Sequence, residues 1–263
     1  MVANIFKIPV FSHGQGLYNK PKPRLIHRIL FKTTIWFSSS YVCYTQSVYD
    51  SLINIGIKSH KLSVMDNTIV NDFPITIEEK NNIQNKLLYI GRLREGCNLK
   101  LLFDVMKKLE DKEIMLKLDI IGDGHKRKEL EEYVETLNID VTFFGAIYDD
   151  EIISNMSKDC KLGIYPGDAG LSVVHYMSLS LIPIVHSDLT KHMGPEPSYI
   201  KDGKNGLMFT RDNVTSLSNV IQKALEGDNV LSKNAYITYK SLLTPTMAEK
   251  LIYTMNPYIN KGL

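Results

Sequence analysis

Apolar and polar positions alternate regularly from about residue 86 onward. Short apolar runs, most of which end in glycine, alternate there with longer stretches whose apolar residues recur every three or four positions. The short runs predict β-strands, and the periodic stretches predict amphipathic helices. An α/β fold with a parallel sheet covered by helices follows. The predicted strands are 86–91, 115–122, 140–145, 161–167, 182–187 and 206–209, and the predicted helices are 99–109, 125–137, 149–157, 171–180 and 214–225.

The first 70 residues carry a shorter version of the same pattern. Three strands are too few for a free-standing α/β domain, so we interpret this segment as a partial N-terminal domain. The predicted strands are 2–10, 41–45 and 60–67, and the predicted helices are 24–37 and 46–55.

The domain organisation follows from these two patterns. We interpret 1–70 as the partial domain, 71–84 as a linker and 85–240 as a Rossmann-like domain. The remainder, 241–263, is predicted to be a terminal helix that ends or breaks at Pro257. In a two-domain α/β protein such a helix often packs back on the first domain.

Composition places the chain among ordinary soluble globular proteins. Hydrophobic residues make up 44% and charged residues 23%, and no apolar run reaches the roughly 18 residues that a membrane-spanning helix needs. The N-terminal sequence does not resemble a signal peptide, because its Lys lies inside the apolar stretch and no small-residue cleavage site follows. The three cysteines lack metal-ligand spacing, so we expect free thiols in a reducing cytosol.

Charge is spread unevenly along the chain. Residues 1–70 contain eight Lys and Arg against two Asp, a net charge of +6, whereas the whole chain carries only +2. This asymmetry indicates an anionic partner near the N-terminal part. The stretch 20–32, KPKPRLIHRILFK, has no acidic residue. It suits contact with anionic lipid headgroups and, equally, a helix that packs on the sheet with a solvated basic face. Nucleic acid is disfavoured, because no basic stripe interleaved with aromatic residues occurs.

The strongest local signal is 166–172, PGDAGLS, between a predicted strand and a predicted helix. A glycine-rich turn that opens a helix directs free N–H groups and the positive helix end toward one point, which suits an anion such as phosphate. The alternative is a tight strand-to-helix turn that binds nothing. We favour the anion site, because two further glycine loops end neighbouring strands.

Those two further loops are weaker signals. Arg92 follows a strand and a glycine and could pair bidentately with phosphate, although an ordinary surface Arg is equally consistent. Gly122 and Gly124 could let a base or ribose approach the backbone, or could simply turn the chain. The chain has no GxGxxG sequence, which disfavours a nicotinamide dehydrogenase.

Three side chains could act on sugar or ribose hydroxyls. His175 lies one turn into the helix after PGDAGLS, although a lone helical His is as often structural. Glu196 lies in a loop rich in Gly and Pro, where the alternative is an exposed acid. His13 follows the first predicted strand and would face a crevice between the domains.

Together these features resemble the GT-B glycosyltransferases of family 4, which use nucleotide-sugar donors. The resemblance covers 86–225 closely and 1–70 more loosely. It is greatest to the branch that acts in bacterial surface-polysaccharide assembly, where PGxxGLxxxH replaces the commoner acidic motif. The segments that carry it, in the family's order and spacing, are YIGRL, LDIIGDG, VTFFGA, YPGDAGLSVVHYMSLSLIPIV and GPEPSYIKDGKNGLMF.

The resemblance implies a GT-B fold, with a Rossmann-like C-terminal domain and an incomplete Rossmann-like N-terminal domain. The C-terminal domain would bind a UDP- or GDP-linked sugar, and the N-terminal domain a saccharide or lipid-linked acceptor. Transfer would retain anomeric configuration and need no metal or other cofactor, because cations and a helix end offset the leaving diphosphate. The protein would work in the cytoplasm, at the inner face of the cytoplasmic membrane, with peripheral contact through 20–32 and without nucleic acid.

The resemblance also assigns roles to individual residues. The loop 167–172 would hold the diphosphate by backbone N–H groups, and His175 stands where the family usually has a ribose-binding Glu. The implied catalytic residues are His13, Arg92 and Glu196. The implied donor-binding residues are Gly91, Arg92, Gly122, Gly124, Phe144, Gly167, Ala169, Gly170, Leu171, Ser172 and His175.

Two departures from the family's pattern bear on activity. Cys97 stands where a Lys usually contacts the diphosphate, while Lys100 falls on a different face and Arg94 is a possible substitute. Losing a close cation would cost the transition state several kcal/mol, on the order of 3. The N-terminal part is also short, so the chain could be a fragment, or a separate chain could supply the missing part. The alternative function is a truncated or degenerate, non-catalytic protein that binds a nucleotide sugar or a partner. A nucleotide-sugar epimerase on the same fold is a third hypothesis.

Overall fold

The computed structural model describes residues 8–20, 22–81 and 85–259. It contains two parallel β-sheets with helices packed on them, which confirms the α/β prediction. The strands are β1 (Phe11–Gly14), β2 (Ser40–Cys43), β3 (Leu62–Val64), β4 (Lys86–Ile90), β5 (Lys117–Ile121), β6 (Asp140–Gly145), β7 (Leu162–Tyr165), β8 (Ile182–His186) and β9 (Leu207–Phe209).

Helices connect most successive strands. Short 3₁₀ turns also occur at Ser59–Lys61, Ile77–Glu79 and Glu196–Tyr199. The α-helices are α1 (Leu25–Phe37), α2 (Gln46–Asn54), α3 (Leu99–Glu110), α4 (Arg127–Leu137), α5 (Asp150–Ser157), α6 (Ser172–Ser178), α7 (Val214–Glu226), α8 (Val230–Leu242) and α9 (Met247–Ile259).

The larger sheet has six strands in the order β6-β5-β4-β7-β8-β9, and every pairing between them is parallel. Its central strands are covered on both faces, so they are near-continuous apolar runs rather than alternating ones. Leu88, Ile120, Ile164 and Ile184 are fully buried. Helix α3 buries apolar residues three and four positions apart, as its periodicity predicts.

The smaller sheet has the order β1-β2-β3 and is also parallel. The strand predicted at 2–10 is wrong over 8–10, and 2–7 lie outside the described residues. Strand β1 instead contains Ser12 and His13, because it pairs with β2 from Phe11 opposite Ser40 onward. The strand is set by this partner, which an apolar run alone does not reveal.

The terminal helix α9 contains Pro257 and contacts the smaller sheet. The Tyr258 hydroxyl donates to the Ser39 carbonyl at 3.0 Å, and the Lys250 ammonium lies 2.9 Å from Asp66. Helix α8 was not predicted from the sequence, because its apolar residues are spread around the helix and not confined to one face. The proposed domain boundaries stay predictions. In the described parts of the chain no helix is both long and apolar enough to cross a membrane.

Candidate active site

The candidate site lies where the order of the larger sheet reverses. Strands run outward from β4 in one direction and from β7 in the other, so the loops at their carboxyl ends flank a crevice. The loop after β4 and the loop after β7 are tied together, since the Asp168 N–H donates to the Gly96 carbonyl at 2.8 Å. Open α/β sheets bind ligands at such a switch point.

Two neighbouring cavities open at this edge and share Ile90, Gly91, Arg92 and His175. The first, of about 380 Å³, also reaches the loop after β6, with Ile147 and Tyr148 among others. The second, of about 520 Å³, lies against the loop after β7. Its further lining residues include Gly170, Leu171, Ser172, Arg94, Asp168 and Met193. The structure thus places seven of the predicted site residues around two connected spaces: Gly91, Arg92, Gly122, Gly170, Leu171, Ser172 and His175.

Gly122 and Gly124 are required by the packing of the chain on itself. A Cβ on Gly122 would lie 1.9 Å from the Gly91 carbonyl oxygen, and one on Gly124 would lie 2.1 Å from the Leu93 oxygen. Both glycines have positive φ angles, +144° and +158°. Their main effect is to let the loop after β5 lie directly on the loop that carries Arg92.

The loop after β7 has already used two of its N–H groups. Besides the Asp168 N–H, the Ala169 N–H donates to His192 Nδ1 at 3.1 Å. The N–H groups of Gly170, Leu171 and Ser172 have no acceptor within the part of the chain that the structure describes. Helix α6 has only seven residues, so these free N–H groups, more than a long helix dipole, are what the loop offers an anion.

A buried polar cluster supports this loop from below. The rings of His186 and His192 stack with centroids 3.8 Å apart, and Asp168 lies 3.5 Å from His186 Nε2 and 3.3 Å from an Arg211 nitrogen. Burial lowers the pKa of His192 to about 3, and it lowers that of His186 too. Both imidazoles are therefore neutral near pH 7, which leaves His192 Nδ1 free to accept a hydrogen bond.

His175 faces both cavities with a neutral ring. Burial lowers its pKa, although Asp150 opposes the shift. Its Nε2 is buried and has no hydrogen-bond partner among the described residues. Buried polar atoms of this kind are rarely left unpaired, so a ligand hydroxyl is a suitable partner.

Glu196 is almost fully buried, at 2% exposure, and is therefore not the exposed loop acid of the alternative interpretation. Its Oε1 accepts a hydrogen bond from Asn67 Nδ2 at 2.6 Å, which joins the two sheets. Burial raises its pKa. A Cβ on Gly170 would lie 3.7 Å from its Oε2, and one on Gly194 only 1.9 Å away. The carboxylate thus lies beside the free end of the loop after β7.

His13 is exposed at the end of β1 and stacks on Tyr44, with the Tyr44 hydroxyl 3.3 Å from its Nδ1. The Tyr44 carbonyl in turn accepts a hydrogen bond from the Tyr199 hydroxyl, close to Glu196 in the chain. His13 lines neither of the two cavities in the described part of the structure. His13 is therefore linked to Glu196 only indirectly, through Tyr44, Tyr199 and Asn67.

Cys97 is buried, with 4% exposure, below the backbone of Gly167. Lys100 is held away by Glu129, at 2.7 Å, and by the ring of Tyr133. Arg94 lines the second cavity together with Arg92. Of Arg92, Arg94 and Lys100, only the two arginines line the second cavity.

Four predicted donor-binding residues do not line either cavity in the described chain: Gly124, Phe144, Gly167 and Ala169. Phe144 is 46% exposed, and Ile147 and Tyr148 from the following loop line the first cavity instead. Sequence reasoning also missed Asn67 and Met193, whose positions depend on contacts between distant segments. No group of three or more His, Cys, Asp or Glu side chains that could hold a metal ion occurs within 8–20, 22–81 and 85–259.

The two parallel sheets and the crevice at the switch point are the architecture of GT-B glycosyltransferases. The chain belongs to the family described as glycosyl transferases group 1, which matches residues 72–241. A similar curated protein is the GalNAc-α-(1→4)-GalNAc-α-(1→3)-diNAcBac-PP-undecaprenol α-1,4-N-acetyl-D-galactosaminyltransferase of Campylobacter jejuni. It is 28% identical over 226 residues, which cover 84% of this chain and 59% of that protein.

Solved structures of similar fold include other glycosyltransferases. The Anabaena protein Alr3699/HepE, crystallised with UDP and glucose, has a TM-score of 0.71 at 16% identity. The match covers 97% of this chain and 73% of the Anabaena chain. The pneumococcal O-GlcNAc transferase GtfA, crystallised with UDP and GlcNAc, has a TM-score of 0.75 at 12% identity. The match covers 98% of this chain and 54% of the GtfA chain. At these identities the likeness shows the fold alone.

Proposed function

We propose that the protein is a glycosyltransferase that moves a sugar from a nucleotide-sugar donor to a saccharide or lipid-linked acceptor in cell-surface polysaccharide synthesis. The observation that carries the proposal is the pair of connected cavities at the switch point. They bring Arg92, His175 and three unpaired backbone N–H groups together around a space of nucleotide size. A base and ribose would occupy the first cavity, and the diphosphate and sugar the second.

The proposed roles follow from the chemistry of each group. Arg92 and Arg94 would pair with the diphosphate and offset the charge that develops as it leaves, and the N–H groups after Ala169 would donate to the same oxygens. His175 would hydrogen-bond a ribose hydroxyl with its unpartnered nitrogen. Glu196, beside Gly170, would hold hydroxyls of the transferred sugar, and His13 would approach it from the smaller sheet.

Retention of configuration and independence from metal are part of this proposal. Both are supported by the resemblance to family 4, and two arginines at the second cavity could offset the diphosphate charge without a cation from solution. The curated relative from Campylobacter jejuni is named for a lipid-linked acceptor, which supports an acceptor of that class here. The chain spans 59% of that relative's length, so activity is proposed for this chain or for its complex with a separate chain.

The acceptor side is supported by the surface of α1. Five of its large apolar side chains are exposed, among them Trp36 at 72% and Leu25 at 70%. Cations lie along the same stretch, including Arg24, Arg28 and Lys32. A helix with exposed apolar and basic side chains suits peripheral contact with an anionic membrane, which would be the inner face of the cytoplasmic membrane.

A second function is favoured by one observation. Cys97 occupies a buried position where the family usually has a diphosphate-binding Lys, and Lys100 is engaged with Glu129. A chain that binds a nucleotide sugar without transferring it would tolerate this loss. The second candidate is therefore a non-catalytic nucleotide-sugar- or partner-binding protein.

A calorimetric titration with UDP and GDP, in buffer with EDTA, tests the proposal first. Saturable binding of one nucleotide supports the donor site and identifies the base, and the absence of binding to either contradicts it. Turnover of a donor only when an acceptor is present then supports transfer over the non-catalytic candidate. Isomerisation of the donor sugar without any acceptor would point to an epimerase instead. The anomeric configuration of the product, read by NMR, tests retention.

A further inference from the structure

A basic cavity of about 590 Å³ lies between the segment before α1 and the end of α2, and it shares no lining residue with the two cavities of the candidate active site. Lys20, Lys22 and Arg28 line it, and no Asp or Glu does. Within the described part of the chain, none of the three side chains forms an ion pair or a hydrogen bond. The neutral polar residues of the cavity are Tyr18, Ser51 and Asn54.

Cations that line another cavity of this protein are, by contrast, paired with acidic side chains. In that cavity, beside the loop after β4, Lys100 lies 2.7 Å from Glu129, and Lys126 lies 2.7 Å from Glu95. The cations there are offset by the protein's own carboxylates. Among the described residues no acidic side chain lines the cavity before α1 or pairs with its three cations, so their charge attracts an anion from outside.

The cavity adjoins an exposed apolar surface. Arg28 lines the cavity from α1, and the same helix exposes Leu25, Ile26, Ile29 and Leu30 by 53–70%. A free phosphate would satisfy the cations and leave this surface in water. An anion that carries a hydrocarbon chain would cover both features at once.

The cavity is also connected to the donor loop through one side chain. Tyr18 lines the cavity, and its hydroxyl donates to the backbone carbonyl of His192. His192 in turn accepts the Ala169 N–H of the loop after β7. Burial raises the pKa of Tyr18 to about 12, so the hydroxyl keeps its proton and the link persists at neutral pH. An anion in this cavity would therefore be held near the proposed site of transfer.

We propose that this cavity binds the diphosphate of a polyprenyl-linked acceptor, with Lys20, Lys22 and Arg28 as its ligands and the apolar face of α1 against the lipid chain. The inference rests on the proposed function in that the acceptor is lipid-linked. The diphosphate would fix the lipid end of the acceptor, while its sugar end reaches the donor crevice past Tyr18. The chemical class of the ligand is thus a lipid diphosphate, bound through charge-assisted hydrogen bonds.

Co-sedimentation with vesicles tests this directly. Phosphatidylcholine vesicles that contain a few mole per cent of polyprenyl diphosphate are compared with vesicles of equal charge made with phosphatidylglycerol. The unchanged chain should bind the diphosphate vesicles more tightly. The triple variant Lys20→Ala, Lys22→Ala, Arg28→Ala should lose about a hundredfold in affinity for them. A matched control replaces three exposed lysines elsewhere, Lys112→Ala, Lys128→Ala and Lys233→Ala, and should bind as the unchanged chain does.

The outcomes separate this inference from the proposed function. Equal affinity for the two kinds of vesicle, or equal losses in the pocket and control variants, would overturn the cavity as a diphosphate site. Displacement by inorganic pyrophosphate as effective as by the lipid would overturn the role of the lipid chain. Each variant is also titrated with the nucleoside diphosphate that the unchanged chain binds. If the pocket variant keeps that affinity, its fold and donor site are intact, and failure of nucleotide binding in every variant would instead count against the proposed function.

Discussion

Asn67 Nδ2 donates to Glu196 Oε1 at 2.6 Å, and this hydrogen bond joins the segment after β3 to the loop beside the crevice of the larger sheet. Glu196 is 2% exposed, and burial raises its pKa. A buried carboxyl needs its hydrogen-bond donor, because an unpaired one would bear the full cost of leaving water. The contact therefore holds Glu196 in position and also links the segment after β3 of the smaller sheet to the segment after β8 of the larger sheet.

Replacing Asn67 by Asp should destabilise the protein by about 2–4 kcal/mol at pH 8, since the half-buried carboxylate introduced at position 67 would then face the buried carboxylate of Glu196. Part of this loss should be recovered at pH 5, because the pair can share one proton. Urea unfolding at the two pH values measures both effects. Asn19→Asp, at an exposed position, is the control for the change in net charge. Equal stability of Asn67→Asp at both pH values would mean that the two carboxylates do not meet.

Arg92→Ala should weaken binding of the nucleoside diphosphate about ten- to hundredfold, which corresponds to one or two charge-assisted hydrogen bonds to phosphate. Binding of the corresponding nucleoside, which lacks phosphate, should be unchanged. Calorimetric titration of both ligands gives the comparison, and Arg24→Ala, at the exposed position just before α1, is the matched control. A loss of affinity shared equally by the nucleoside would place Arg92 at the base or ribose and contradict its proposed role.

His175→Ala should weaken the same nucleotide by only about two- to tenfold, because a neutral imidazole makes one uncharged hydrogen bond. Unlike the loss at Arg92, this loss should appear for the nucleoside as well, since the proposed partner is a ribose hydroxyl. Titration of the 2′,3′-dideoxynucleoside diphosphate extends the test. The variant and the unchanged protein should bind that ligand alike. A larger effect at His175 than at Arg92 would show that the two roles are reversed.

Gly122→Ala should destabilise the protein by about 2–5 kcal/mol, because the added Cβ would overlap the Gly91 carbonyl in a backbone conformation that alanine rarely adopts. Gly203→Ala is a matched control, since Gly203 also has a positive φ, +72°, but has nothing within 4 Å of the added Cβ. It should cost only about 1–2 kcal/mol. The midpoints of urea unfolding give both values. Similar losses in the two variants would mean that strain, and not the close approach of the two loops, restricts position 122.

The larger sheet was predictable from the sequence because its signals are local. Buried strands such as β4 and β7 are continuous apolar runs, and helices such as α3 repeat their apolar positions at helical spacing. Helix α8 was missed because its apolar residues are not gathered on one face, and β1 was misplaced because its partner β2 sets its register. Such pairing is a long-range property that periodicity does not contain.

The candidate site was predictable only as a set of loops. The sequence predicts an anion site at PGDAGL, but it does not show that Gly96 and His192 already bond two of its N–H groups. It also does not show that Asn67 reaches Glu196, since 129 positions separate them. The roles assigned to the site residues by resemblance stay predictions, and the experiments on Arg92 and His175 test them.

His192 supplies a prediction about acid stability. Burial lowers its pKa to about 3, and the titratable and charged groups that act on it are His186, Asp188 and Arg211. Below its ordinary pKa of about 6.5 the unfolded chain binds a proton at this position while the folded chain does not. The contribution of His192 to the free energy of unfolding is therefore fully present above pH 6.5 and is lost as the pH drops from about 6.5 toward 3. Between pH 7 and pH 5 this one residue should remove about 2 kcal/mol from the free energy of unfolding.

His192→Gln should remove that part of the pH dependence, because glutamine can still accept from the Ala169 N–H and donate to the His186 carbonyl but does not titrate. The drop in unfolding free energy from pH 7 to pH 5 should be about 2 kcal/mol smaller in the variant than in the unchanged protein. Val174→Ala, a buried change in α6 that removes no titrating group, controls for destabilisation alone and should keep the original drop. If His192→Gln lost stability as steeply as the unchanged protein, then His192 would take up its proton in the folded state. In that case its Nδ1 would carry a proton at pH 5 and could not accept from the Ala169 N–H there.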